Sequence, residues 1–281
     1  MQPVGSRWDR TTKACLEEWQ PRFVPYHLDL AREVGLHAGD RVALIDAGPD
    51  VLPFARAVAP NGHLHMYERE PSQQRACEAS LERADLHGLA TFSDGDALGS
   101  DLDAVVCAFG LRHKAARRAA LAKWRDALGP KGKLGLMMWG PAQPDDPQDW
   151  LATAAREIDP ALDFARVRID TERNALAFLM ESAGVALVRH TVVQHNVTFR
   201  SALLFVTALV DASEWRSEFS KLSPAVAARI TARVCELAGG PDAPVVFDPV
   251  ATIAIAGLPG AEIELPHRPS VRIPAAVPVK V

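Results

Sequence analysis

Between residues 41 and 139, short apolar segments alternate with helix-forming segments, and no other feature of the chain constrains its fold as strongly. The first of them, residues 41–46, lacks polar alternation, which is typical of a strand buried on both faces of a parallel sheet. The apolar segments lie at residues 41–46, 63–68, 89–92, 102–108 and 133–139. Helices are predicted between them at residues 54–58, 73–84 and 115–128. The alternation predicts a doubly wound parallel sheet with right-handed crossovers.

The pattern is less regular after residue 140. A loop rich in proline and aspartate, residues 141–147, opens an insertion that we expect to end near residue 172. Further helices are predicted at 174–183, 201–210 and 224–237, and strands at 186–193 and 245–255. We expect these two strands to complete a seven-stranded, mostly parallel Rossmann-like sheet as an antiparallel pair. The predicted fold class is α/β, with helices on both faces and cap insertions at 140–172 and 198–240.

The two ends of the chain differ in character from the middle. Residues 1–40 are predicted to form a helical lid, because apolar residues recur there at helical spacing. These residues are Trp19, Phe23, Tyr26, Leu28, Leu30 and Val34. Residues 259–281 contain five prolines, and we expect this tail to extend away from the core or along a partner.

Composition limits the classes of partner. The net charge is −4 and the isoelectric point is near 6.1, so no bulk basic field attracts nucleic acid or anionic membrane. The apolar runs are too short to span a membrane, and no apolar leader opens the chain. The four cysteines are scattered, with neither zinc-site spacing nor a disulfide framework. We therefore expect a cytoplasmic protein without a metal site.

Polar and glycine-containing segments follow the predicted strands. Asp46-Ala-Gly48-Pro-Asp50-Val-Leu52 follows the first strand, and Glu68 ends the second. Asp94-Gly-Asp96-Ala97 follows the third strand, and Phe109-Gly-Leu-Arg112-His113 follows the fourth. The carboxyl ends of parallel strands meet at one edge of a sheet, where open α/β sheets bind their ligands. These segments are therefore predicted to line one site.

In order and spacing, residues 8–258 resemble the class I S-adenosylmethionine-dependent methyltransferases. The resemblance is strongest to the small-molecule group that includes the ubiquinone/menaquinone C-methyltransferases, and it assigns residues 41–258 to the methyltransferase-like domain. It implies S-adenosylmethionine as cofactor, with Glu68 accepting from the ribose hydroxyls and Asp96 from the adenine amino group. The implied cofactor residues are Asp46, Gly48, Asp50, Glu68, Arg69, Asp96, Ala97 and Phe109.

The chain departs from this family at the loop after the first strand. Family members carry three alternating glycines there, which let the backbone approach the methionine portion of the cofactor. Here Gly48 fills the first position, but Asp50 and Leu52 replace the second and third. A carboxylate at residue 50 would lie near the carboxylate of the cofactor and repel it.

Three residues are candidates for the chemistry of methyl transfer. His113 is the first candidate for a general base, and His27 is the second. Arg112 is placed to hold a substrate carboxylate or phenolate. Each has an ordinary structural alternative: His113 also fits a helix start without a special partner, and Glu68 also fits a solvated strand end.

Two functions remain open from the sequence. The first is methylation of a small, aromatic or polyketide-like substrate, with a homodimer or a pairing with a related methyltransferase as candidate assemblies. The second is a catalytically silent relative that binds, dimerises or performs non-methylating chemistry, which the replaced glycines favour. A dinucleotide oxidoreductase would need G-x-G-x-x-G after the first strand, and the chain lacks it. Apolar cap residues are candidates either for a substrate pocket or for cap packing: Phe199, Leu204, Phe205 and Trp215.

Overall fold

The computed structural model describes residues 13–46, 51–68, 71–93, 98–113, 116–141, 143–165, 169–212 and 215–266. Its strands are β1 (Arg41–Ile45), β2 (His63–Tyr67), β3 (Ala90–Ser93), β4 (Leu102–Ala108), β5 (Leu128–Trp139), β6 (Ala186–Gln194), β7 (Val197–Phe199), β8 (Val245–Phe247) and β9 (Val250–Gly257). Its helices are α1 (Gln20–Val34), α2 (Leu52–Val58), α3 (Pro71–Arg83), α4 (Arg117–Asp126), α5 (Trp150–Ile158), α6 (Arg173–Ser182), α7 (Ala202–Asp211), α8 (Arg216–Phe219) and α9 (Pro224–Leu237).

Seven strands form the central sheet in the order β3-β2-β1-β4-β5-β9-β6. Strands β1 to β5 are parallel, whereas β9 runs antiparallel to both β5 and β6. The chain order reverses at β1, where the connections change from one half of the sheet to the other. The carboxyl ends of β1, β2 and β4 are therefore neighbours at a topological switch point, the usual ligand edge of such sheets. The prediction of a Rossmann-like α/β sheet with helices on both faces is confirmed.

Helices cover both faces of the sheet and divide the core in two. On one face, α1, α2 and α3 pack with the apolar side chains of β1 and β2, such as Leu44, Leu64 and Met66. On the other face, α4 and α6 pack against β4 and β5. The central strands are buried on both sides, which explains why their sequences are continuously apolar.

Helix α1 lies close against β5 because Gly135 has no side chain. A Cβ at that position would lie 2.3 Å from Val34 Cγ2, so only glycine allows this approach. The helix ends at Gly35, whose φ of 66° is left-handed, and Lys133 Nζ donates to the Gly35 carbonyl at 2.8 Å. A buried cation at a helix C-terminus satisfies a carbonyl that has no partner within the helix.

The cap is continuous with the sheet core. Helices α5, α7 and α9 bury apolar residues in the same cluster as the first face of the sheet. Phe199 and Phe205 are fully buried and pack edge-on at 5.2 Å, and the Trp19 ring contacts both. The two phenylalanines therefore serve cap packing. Of the described helices, none is long and apolar enough to cross a membrane.

The structure corrects the predicted last strand. Residues 245–255 were predicted as one strand, but Val245–Phe247 pairs with Val197–Phe199 in a separate two-stranded sheet. Only Val250–Gly257 enters the central sheet, between β5 and β6. Asp248 and Pro249 separate the two pieces, and proline cannot donate to a strand ladder. The predicted insertion at 140–172 also contains a helix, α5, that the sequence analysis missed.

Two smaller predictions were wrong. Leu28 was placed on the apolar face of the N-terminal helix, but it is 52% exposed. The fifth strand was predicted to begin at residue 133, but β5 begins at Leu128, and a Cβ at Gly132 would lie 2.6 Å from the Leu102 carbonyl oxygen. The tail is predicted to extend away from the core or along a partner; in its described part, residues 259–266, the Pro266 carbonyl accepts from Arg189 at 3.1 Å, and residues 267–281 lie outside the described residues.

Candidate functional site

Three predicted site residues come together at the carboxyl edge of the sheet. Asp46 follows β1, Glu68 follows β2 and Phe109 follows β4. Ile45 pairs with residues at the ends of both neighbouring strands, so these positions lie side by side. The Asp46 amide donates to the Tyr67 carbonyl at 3.1 Å, which continues the ladder one residue beyond the strand.

The backbone turns sharply at two of these positions. Asp46 has a φ of 48° and Phe109 a φ of 60°, both in the left-handed region that residues with side chains adopt rarely. The Phe109 amide donates to the Met137 carbonyl at 2.7 Å, which helps to hold this conformation. Such outliers occur often at ligand sites, because surrounding contacts must stabilise them.

Gly110 allows the ends of β1 and β4 to approach each other. A Cβ at Gly110 would lie 3.0 Å from Asp46 Cβ, 3.1 Å from Asp46 Oδ2 and 3.0 Å from Cys107 Sγ. The Asp46 carboxylate therefore lies directly against the Gly110 backbone. This close approach leaves a carboxylate at the centre of the edge, between the ends of β2 and β4.

An aromatic cluster lies over the ends of β4 and β5. The Phe109 and Trp139 rings stack with centroids 4.1 Å apart, and Phe23 of α1 packs against both. Tyr26, one turn further along α1, contacts Phe23 and Trp139. Helix α1 thus covers this part of the edge with apolar rings.

His27, predicted as the second candidate base, lies inside this cluster. It is only 3% exposed, and its ring packs edge-on against Phe54 and Phe109, each at 6.1 Å. Its Nδ1 lies 3.0 Å from the Phe23 carbonyl oxygen, so the proton on Nδ1 is directed at that carbonyl. The arrangement leaves Nε2 as the nitrogen with basic character.

The other predicted site residues are described less fully. Arg112 and His113 lie in a 3₁₀ turn, Gly110–His113, that directly follows the Phe109 turn. The remaining predicted cofactor residues lie outside the described residues: Gly48, Asp50, Arg69, Asp96 and Ala97. Their roles stay predictions.

A second polar group near the edge was missed by the sequence analysis. His195, just beyond β6, places Nε2 2.7 Å from the Asp29 Oδ2 of α1. The Tyr26 hydroxyl donates to the Pro249 carbonyl at 2.5 Å and accepts from the His195 amide at 3.0 Å. Burial, above all, raises the pKa of Tyr26 to about 12. No sequence motif marks Asp29 and His195, which are 166 residues apart.

A cavity of about 410 Å³ lies where β6 ends and β9 begins. Its lining includes Trp150, Gln194 and three carboxylates, Asp145, Asp146 and Asp248. One of these, Asp248, accepts from the Asn196 amide at 3.0 Å. The part of this lining between residues 143 and 150 belongs to the predicted insertion at 140–172. Asp46, Glu68 and Phe109 do not line the cavity, so it is distinct from the edge at β1, β2 and β4.

The fold is that of the Rossmann-like methyltransferases. Neither models of known protein families nor curated protein sequences match the chain. Solved structures do match it. The cyclopropane-fatty-acyl-phospholipid synthase-like protein of Lactobacillus casei is similar with a TM-score of 0.55 and 16% identity, over 85% of this chain and 92% of that one.

Two further structures with this fold differ in what they do. Coclaurine N-methyltransferase, solved with N-methylheliamine and SAH, has a TM-score of 0.52 and 15% identity, over 83% of this chain and 70% of that one. The [4+2]-cyclase SpnF has a TM-score of 0.54 and 18% identity, over 86% and 84%. At these identities the similarity establishes a shared fold, and function has to be argued from the site.

Proposed function

We propose that this chain binds S-adenosylmethionine at the ends of β1, β2 and β4 and transfers its methyl group to a small molecule. The observation that carries the proposal is the juxtaposition of Asp46, Glu68 and the Phe109–Gly110 turn at the switch point of the sheet. The neighbours of known fold support it, since coclaurine N-methyltransferase was solved with SAH.

The residues present fit this cofactor. Glu68 offers two acceptor oxygens to the vicinal hydroxyls of a ribose. The Asp46 carboxylate, held against Gly110, is suited to an ammonium group. The rings of Phe109 and Trp139 offer negative faces and edges that exclude water, which suits a sulfonium cation. These carboxylates and aromatic rings therefore match a nucleoside that carries a positively charged amino acid chain.

The bound cofactor supplies an already activated methyl group, so this chain has mainly to position the acceptor and exclude water. Phe23 and Phe109 cover the edge and perform the second task. For an acidic hydroxyl or amine, we propose that His113 takes the acceptor's proton and that Arg112 holds an anionic substrate group. His27 Nε2 is the second candidate base, and its burial favours the His113 assignment.

Substrate choice is proposed to depend on the cap. The cavity beside β6 and β9 is large enough for a small metabolite, and its lining combines the Trp150 ring with Gln194 and three carboxylates. Polar groups beside an aromatic ring can fix the orientation of a small molecule. The finer assignments, an aromatic or polyketide-like substrate and a homodimer, remain proposals from the sequence.

Calorimetry with S-adenosylmethionine and S-adenosylhomocysteine tests the proposal directly. We expect binding in the wild type and a loss of about 1.5–3 kcal/mol in Glu68→Ala, the range for hydrogen bonds to a charged group. Glu82→Ala, an exposed glutamate on α3, is the matched control and should bind like the wild type. Equal affinity in Glu68→Ala and the control would mean that the ribose is not held here.

The second candidate is a protein of the same fold that does not transfer methyl groups. The replaced glycines favour it, and Leu52 begins α2 and packs half-buried against the core, in the third glycine position. The fold alone does not decide between methyl transfer and another function, since a [4+2]-cyclase shares this fold. The direction of the change in cofactor affinity in Asp50→Gly separates the two candidates. In a silent site the substitution should raise cofactor affinity by about tenfold, and in an active site it should leave affinity unchanged or lower it.

A further inference from the structure

Two histidines lie on the open face of β2. The strand alternates, with Leu64 and Met66 buried beneath α2 and α3 while His63 and His65 are half-buried on the opposite face. Among the described residues between β3 and β4, 98–101, there is no helix to cover that face. Both side chains are half-buried, so each keeps part of its surface accessible to solvent.

Ring nitrogens of both histidines converge on one oxygen. His63 Nε2 lies 3.0 Å from Thr91 Oγ1 on the neighbouring strand β3, and His65 Nδ1 lies 3.4 Å from the same atom. The two ring centroids are 4.6 Å apart, with the planes at 65°. Because a hydroxyl carries one proton, at least one imidazole must donate to this oxygen. Two potential ligand nitrogens thus share one small region of the surface.

The ring separation matches a particular coordination geometry. A metal–nitrogen bond of about 2.0–2.1 Å places an ion roughly 3.2 Å from the centre of a coordinating imidazole. Two such rings at adjacent positions of a square or octahedron have centres roughly 4.5 Å apart, against roughly 5.2 Å at a tetrahedral angle. The observed separation of 4.6 Å is nearer to the right-angled value than to the tetrahedral one.

We propose that His63 and His65 form a two-histidine site for a divalent late transition-metal cation, Ni²⁺ or Cu²⁺. Imidazole suits these ions, and their octahedral or tetragonal preference agrees with the right angle. No group of three histidine, cysteine or acidic side chains suited to a metal occurs among the described residues. Water therefore completes the coordination, and the affinity is that of a two-ligand site.

Two further observations bear on the strength of the site. His65 Nε2 is buried and has no hydrogen-bond partner among the described residues, so none of them fixes this ring through a second contact. Arg41 pairs with His63 in strand register. Its guanidinium contributes, after burial and His63, to lowering the pKa of His65. The same positive charge opposes a bound cation, so removing it should strengthen binding.

Titration of the untagged full-length chain with NiCl₂ and CuCl₂ at neutral pH tests the proposal. We expect one ion per chain, an affinity loss of about tenfold or more in His63→Gln and in His65→Gln, and tighter binding in Arg41→Ala. His87→Gln is the matched control, since His87 is an exposed histidine of the same region and should leave affinity unchanged. Circular dichroism of each variant checks that the fold is kept.

Electron paramagnetic resonance of the Cu²⁺-loaded protein gives a second readout that does not depend on affinity. We expect hyperfine structure from two imidazole nitrogens in the wild type and from one in each single histidine variant. Absence of Ni²⁺ and Cu²⁺ binding at millimolar concentration would overturn the proposal. Wild-type affinity in both histidine variants, or a spectrum unchanged by them, would overturn it equally.

Discussion

The two ends of the sheet's carboxyl edge are built in different ways. At β1, β2 and β4, each predicted site residue directly follows its own strand, and the strand pairing brings these residues together. At β6 and β9, the polar residues are joined by contacts between distant segments, such as Asp29 with His195 and Tyr26 with Pro249. The half of the edge at β1, β2 and β4, called the first half below, depends on local strand geometry. The half at β6 and β9, called the second half, depends on how α1 packs against the sheet.

This difference makes the two halves separable by mutation. Changes in the second half should alter stability and the cavity while leaving nucleotide binding close to normal. Changes at Gly110 should weaken nucleotide binding while leaving stability close to normal. The following predictions run from the largest expected effect to the smallest.

Phe205→Ala tests whether the cap is part of the core. The ring is fully buried and contacts Trp19, Phe199 and Phe247, so its removal should lower the free energy of unfolding by about 3–5 kcal/mol. Urea denaturation followed by fluorescence measures this change. Leu203→Ala, at an exposed position of the same helix, is the control. A change below 1 kcal/mol or a separate early cap transition would contradict a continuous core.

Tyr26→Phe tests the docking of α1 on the β6–β9 side. The change removes the hydroxyl that donates to Pro249 and accepts from His195, at a cost of about 1–3 kcal/mol for polar groups left unpaired. Thermal denaturation measures the loss, and calorimetry with S-adenosylhomocysteine should give nearly wild-type affinity. A large loss of affinity at unchanged stability would mean that the two halves are not independent.

Gly110→Ala tests the close approach of β1 and β4. The added Cβ would lie 3.0 Å from Asp46 Cβ and Cys107 Sγ, so the Asp46 carboxylate has to shift by a few tenths of an ångström. We expect S-adenosylhomocysteine affinity to fall about tenfold, or 1.4 kcal/mol, with little change in melting temperature. Gly88→Ala, where an added Cβ meets nothing within 4 Å, is the control. Equal S-adenosylhomocysteine affinity in Gly110→Ala and Gly88→Ala would contradict a role of this close approach in binding.

The smallest effect concerns the open face of β2. Burial, with His63 and Arg41, lowers the pKa of His65 in the folded chain, so the unfolded chain binds protons more readily. The stabilisation of the neutral ring is present above pH 6.5 and is lost as pH falls through the lowered pKa. His65→Gln should therefore reduce the fall in melting temperature between pH 7 and pH 5. A steeper fall in the variant would contradict this assignment.

The sequence determined the sheet and the first half of its edge. Short apolar segments alternating with helix-forming segments identified β1 to β5, and their spacing indicated parallel pairing. Asp46, Glu68 and Phe109 could be placed because each follows a strand directly. Strand-end position is a local property, so it can be read without knowing how distant segments meet.

Only the tertiary structure decided the rest. The split of residues 245–255 into β8 and β9 depends on pairing with Val197–Phe199, a three-residue strand too short to carry a pattern of its own. The Asp29–His195 contact and the convergence of His63 and His65 on Thr91 join side chains from separate elements. Their positions depend on how helices pack and on strand register. Both result from many weak contacts between distant segments, so no single segment of the sequence determines them.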